Sequence, residues 1–115
     1  MTPQEIKNKL SYHCGTENWW RHWIKPFTYT DGVKDMAEMC ESYWLLDAIF
    51  SYRRNEPFQV WELKVDLEKS KAVLTMRTDS NKPILVQQKI PFTDFPLDEM
   101  KLWLVNGVLI LPSEY

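Results

Sequence analysis

Hydrophobic positions change their period twice along the chain, and each change marks a new kind of element. Thr2-Pro3-Gln4-Glu5 is a helix start: Thr2 can cap, Pro3 suits the first helical position, and Glu5 lies three residues past the cap. Ile6 and Leu10 then form one apolar stripe, so a short helix ending by Gly15 is expected. From Trp19 to Thr30 the pattern alternates poorly and Pro26 breaks it, which predicts an aromatic loop or irregular extended segment. After Thr30-Asp31-Gly32, apolar residues recur at helical spacing (Val33, Met36, Ala37, Cys40, Trp44, Ala48), with Thr30 or Asp31 as the cap. A single long helix to Tyr52 is predicted. Nearly every side is apolar between Tyr43 and Tyr52, which makes that half the centre of the molecule.

Beyond Phe58 the period becomes two. Trp61, Leu63 and Val65 share one face, with Gln59 placed opposite them. Ala72, Leu74 and Met76 follow, then Ile84, Val86 and Ile90 after the turn Thr78 to Pro83, giving three strands in a meander. Leu97, Met100 and Leu104 also fit a helix, but Asn106-Gly107 between two apolar runs is a strong hairpin signal, because both residues tolerate the positive φ of a type I′ turn. The hairpin is the expectation adopted. Val108 to Leu111 is apolar on both faces, so that strand needs cover on two sides: the long helix on one, and either the Trp19 to Tyr29 segment or a second subunit of a homodimer on the other. The predicted fold is α+β: two N-terminal helices, the second long and central, packed on an antiparallel sheet of about five strands that ends in a hairpin. With 115 residues it forms a single domain, residues 1–115.

Charge narrows the function classes. The formal net charge is −2, so no global field favours a direct nucleic-acid partner, and only a local basic patch would restore one. No apolar run approaches membrane-spanning length, and the start lacks a cationic, then apolar, leader. Together with two cysteines that a core of this size does not need as a staple, this predicts a cytoplasmic protein with reduced thiols. His13, Cys14, His22 and Cys40 match no closed zinc spacing, and two histidines are a thin stock of general bases. Neither a metal nor a cofactor is expected.

Candidate chemistry concentrates in Trp19 to Tyr29, where aromatic faces alternate with Arg21, His22 and Lys25. Such a mixture stacks a planar ligand while cations meet its charge, or forms a hot spot for a protein partner, or folds inward as a cover for the sheet. Three Trp in five residues cannot all face one way on an extended chain, so at least one ring should be buried and at least one should remain outside. The Thr30-Asp31-Gly32 helix start offers amides to an anion, with Gly32 permitting close approach, but an Asp31 carboxylate at the cap would already fill that place. Asp47, set in an apolar run, needs a polar partner, for which His22 is a candidate.

Gly15-Thr16-Glu17-Asn18, Arg21-His22, Tyr29-Thr30-Asp31-Gly32-Val33, Tyr43-Trp44-Leu45-Leu46-Asp47 and Asn106-Gly107 through Leu111-Pro112-Ser113-Glu114-Tyr115 resemble, over nearly the whole chain, a family of small domains of unknown function found in bacteria, phages and other mobile elements. The resemblance implies a prokaryotic or phage cytoplasmic protein and transfers no activity, cofactor or catalytic residue. The expected function is non-enzymatic binding of a small planar anionic, nucleotide-like ligand, such as a counter-defence sponge would hold. In it Trp19, Trp20 and Tyr29 stack, Arg21, His22 and Lys25 meet charge, and Asp31 or Asp47 reads N–H groups. The alternative is an inhibitor or adaptor that occludes a host nucleic-acid-processing or defence enzyme with the same surface.

Overall fold

A computed structural model describes residues 1–115. The elements in chain order are helix α1 (Pro3–Ser11), strands β1 (Trp19–Arg21) and β2 (Thr28–Thr30), helices α2 (Asp31–Met39) and α3 (Tyr43–Ser51), strands β3 (Phe58–Asp66), β4 (Lys71–Arg77), β5 (Val86–Ile90), β6 (Glu99–Val105) and β7 (Val108–Ile110), and a closing 3-10 turn (Pro112–Glu114). No helix is long and apolar enough to cross a membrane.

The first helix follows its sequence signals: Glu5 N–H donates to Thr2 Oγ1 at 3.2 Å and the Glu5 carboxylate accepts the Thr2 N–H, closing a capping box. The predicted long helix is instead two. Glu41 sits in the left-handed region with φ 51°, and Ser42 N–H returns to Ala37 C=O at 2.8 Å, which ends α2. The break moves the buried stripe by one position. Val33, Met36, Ala37 and Cys40 are buried in the first half, then Leu45, Leu46, Ile49 and Phe50, while Trp44 and Ala48 are only half-buried. One unbroken helix would have buried Trp44 and Ala48; the kink trades them for larger apolar contact from the second half.

The sheet has seven strands in the order β1-β2-β7-β6-β3-β4-β5, two more than expected. It is mixed, because β2 runs parallel to β7 through Thr28↔Val108 and Tyr29↔Leu109; the other pairs are antiparallel. Asn106 and Gly107 adopt φ 49° and 84°, so the hairpin between β6 and β7 is built as the dipeptide requires. Trp61, Leu63 and Val65 face the helices with Leu74, Met76, Leu102 and Leu104. Gln59 lies on that same buried face, not opposite it: its amide accepts from Trp61 Nε1–H at 2.8 Å and donates to the carbonyls of Arg54 and Glu56. A buried amide survives there because each polar atom has a partner.

The Trp19 to Tyr29 segment does not cover the last strand. It widens the sheet, placing β1 at the edge, while the turn after Leu111 packs on β6 and Tyr115 meets Trp103 edge-on, ring centroids 5.4 Å apart. Leu109 is sealed on the helix side and Val108 is half-buried on the other. The buried sides of α1, α2 and α3 share one core with one face of the sheet, and the opposite face carries no α-helix.

Candidate functional site

The reversal between β1 and β2 presses His22 into the core, where its ring stands edge-on to Phe50 at 4.7 Å; Phe27 stacks on the same Phe50 at 4.8 Å. Ile24 N–H donates to His22 Nδ1 at 2.9 Å, so the imidazole proton is on Nε2 and is donated to Asp47 Oδ1 at 2.7 Å. Trp23 Nε1–H donates to that same oxygen at 3.0 Å. One carboxylate oxygen thus fixes a buried imidazole and an indole that is 74% exposed. The second oxygen, Oδ2, has no protein partner on a side chain that is 45% exposed, and Asp47 lines an open cavity of about 440 Å³ with Trp23, Trp44, Ser51, Gln88 and Ile90. Tyr52 O–H, donating to Gln88 Oε1 at 2.8 Å, steadies the far wall.

A second indole is held in the same way. Trp20 Nε1–H donates to Asp31 Oδ1 at 2.9 Å, while Oδ2 accepts from Glu17 N–H, Asn18 N–H and Asn18 Nδ2 at 3.2 to 3.4 Å. These donors, Trp20 first, hold the Asp31 carboxyl below its ordinary value. Lys34 Nζ lies 4.8 Å above the Trp20 ring and pairs with Glu38 at 2.7 Å. Tyr43 O–H donates to that Glu38 at 3.2 Å, and burial with the nearby carboxylate pushes its phenol up to about 12. Tyr29 stands between the two indole anchors, edge-on to both His22 and Tyr43 at 6.4 Å.

Asp31 does not cap α2. Thr30 does, through Oγ1 accepting from Val33 N–H at 3.4 Å, and the anion at this helix start is the side chain of Glu114. Its carboxylate accepts from Thr30 O–H at 2.6 Å, Leu111 N–H at 2.9 Å and Gly32 N–H at 3.2 Å. A methyl group on Gly32 would stand 2.7 Å from Glu114 Oε1 and from Leu111 Cδ1, so the close approach expected of Gly32 is real and serves a carboxylate of the chain itself. That place is closed to a ligand.

The structure divides the sequence-derived set. His22, Tyr29 and Asp47 gather at one indole anchor, Trp20 and Asp31 at the other, and strand alternation sends Trp19 and Arg21 to the opposite sheet face from Trp20. Lys25 lies in the turn between, joined by a cis peptide to Pro26; its carbonyl accepts from Arg53 Nη1 at 2.9 Å, and its ammonium has no ion pair. Arg21 and Lys25 therefore do not converge on Asp47, and Lys89, whose backbone passes the cavity between Gln88 and Ile90, projects by its register opposite Val73 to the other face of the sheet. Trp44, Gln88 and Ile90 complete the wall and were not singled out by sequence; only the exchange of Trp44 for Leu45 as the buried position leaves Trp44 free to line it. Cys40 is buried, which pushes its thiol up to about 11 and leaves it unreactive. His13 pairs with Asp35 at 2.7 Å on the surface, and no group of three or more ligating side chains converges anywhere.

No curated protein and no solved structure matches the chain. Residues 4–115, nearly its full length, match the model of a family of unknown function (DUF6876), and the chain belongs to that family.

Proposed function

We propose that the protein is a non-enzymatic, cytoplasmic binding protein whose ligand is a planar, N–H-bearing ring such as a guanine nucleotide, held beside Trp23 and Trp44 with its donor edge on Asp47. The observation that carries the reading is the division of labour on one carboxylate: Oδ1 is saturated by His22 and Trp23, and Oδ2 is left without a protein partner on a residue that lines the cavity. A fixed acceptor between aromatic walls in a cavity of about 440 Å³ suits a ligand of nucleoside size. An exposed indole normally costs nothing to leave mobile. Here its N–H is tied down, so its face is presented in a set orientation and little entropy is lost on stacking. Two free cysteines, Cys14 exposed and Cys40 buried, suit a reducing compartment.

Thermal denaturation with guanosine, adenosine and uridine monophosphates tests this. A guanine nucleotide at a hundredfold excess over its Kd should add about 2.7 kcal/mol to the unfolding free energy, and Asp47→Asn should remove most of that gain. Absence of any shift with all three nucleotides overturns the reading.

A further inference from the structure

The sheet face turned away from α2 and α3 has a character that the net charge conceals. By register, Arg21, Lys64, Lys71, Arg77, Lys89 and Lys101 project on this face against Glu62, Asp66 and Glu99. Six cations against three carboxylates give +3 there, on a chain of −2, so the remainder carries −5. Lys64 pairs with Glu62 at 3.2 Å and Lys101 with Glu99 at 3.4 Å. Arg21, Lys71, Arg77 and Lys89 have no ion pair at all, and Asp66 is the one unpaired carboxylate among the nine. Aromatic rings are interleaved with these charges. Phe58, Trp103 and Tyr115 form a mutual cluster with centroids 5.4 to 6.0 Å apart, Tyr115 is 76% exposed, and Trp19 lies at the sheet edge 60% exposed. Between the cluster and Arg77 is a hollow of about 450 Å³ whose other charged residues are Glu62, Lys101 and Asp79; Asp79 is engaged by the Ser80 N–H and hydroxyl.

We infer that this helix-free sheet face binds single-stranded nucleic acid, its bases stacking on Trp103, Phe58 and Tyr115 and its phosphates meeting Arg77, Lys71, Lys89 and Arg21. Unstacked bases are the partner that uses both features together: every base has a face for an aromatic ring, and the backbone supplies the anions. A duplex hides its base faces and offers only phosphates to a broad sheet surface. A second copy of the chain would set one +3 face against another, which repels. The inference rests on different residues from the cavity at Asp47, and each stands or falls alone.

Fluorescence anisotropy of a labelled oligothymidylate of about twelve nucleotides, within the usual span of such sites, tests the assignment on the full chain. With four phosphate contacts, log K against log salt should have a slope of about −3. Arg77→Glu combined with Lys89→Glu, both outside the core, should weaken binding at least tenfold, and Trp103→Ala should do the same if it folds as judged by circular dichroism. Asp47→Asn should leave the oligonucleotide affinity unchanged. No binding at low salt, equal affinity in the double charge variant, tighter binding of the matching duplex, equal displacement by an acidic peptide such as polyglutamate, or sedimentation showing a dimer that occludes Trp103 would each overturn the inference.

Discussion

Asp31 and Asp47 do the same visible thing, each accepting an indole N–H from the segment after Asn18, yet they are opposites in what they leave over. Asp31 spends both oxygens on four donors of its own chain and so ties residues 17–20 to the start of α2. Asp47 spends one oxygen on two donors and lines a cavity with the other unpartnered. The first carboxylate is an anchor. The second is an anchor with one oxygen to spare, on a side chain that is 45% exposed, and that free oxygen is what the proposed binding role draws on.

The comparison breaks most severely at His22. Removing the ring by His22→Ala takes away a buried aromatic contact with Phe50 and orphans the Ile24 N–H, and urea denaturation should show a loss of about 3 kcal/mol; a loss near zero would mean that His22 does not set the position of Asp47. Asp47→Asn keeps the volume, so the fold should hold to within about 1 kcal/mol, while guanine-nucleotide affinity measured by calorimetry should fall at least tenfold. Asp31→Asn should show the reverse: a lower Tm with unchanged nucleotide affinity. Its pH dependence follows from the depressed carboxyl. Because the folded value lies below the ordinary 3.8, the Asp31 contribution is fully present above 3.8 and is lost as pH falls through the folded value, so the gap in Tm between wild type and Asp31→Asn should be widest near neutrality and close on acidification. The smallest effect belongs to Lys34→Met. Solvent screens the ammonium above Trp20, so the denaturation midpoint should stay in place and only the Trp emission should shift; a large fall in midpoint would promote the Trp20 anchor from loop tether to a determinant of the fold.

Local signals were legible where a few adjacent residues decide the geometry. The capping box at Thr2 and Glu5 and the Asn106-Gly107 turn are of this kind, and both stand as read. Signals that depend on distant partners were not. β1 and β2 have three residues each, too few for a period, and they become strands because β7, about eighty residues on, offers β2 a parallel neighbour. The break at Glu41 was hidden because Val33 to Ala48 keeps an acceptable helical spacing, and only packing against the sheet selects Leu45 and Leu46 over Trp44 and Ala48. For the site, the pairing of His22 with Asp47 was among the expected options and is present, whereas the rings of Trp19, Trp20 and Trp23 all lie outside the core, so the expected buried ring is absent: His22, not an indole, fills the place beside Phe50. The set of eight residues splits because alternation along β1 sends Arg21 away from Asp47, a matter of strand parity that an irregular segment does not specify.

The clamp of Glu114 on Thr30 and Gly32 spans 84 and 82 residues, and the parallel seam of β2 on β7 pairs residues eighty apart. On a translating ribosome the early third of the molecule must wait, its helix start capped by Thr30 alone and its two short strands unplaced, until the last hairpin leaves the exit tunnel. Vectorial synthesis therefore delivers the aromatic segment long before anything can organise it, and for that interval its indoles are exposed to chaperones and to one another.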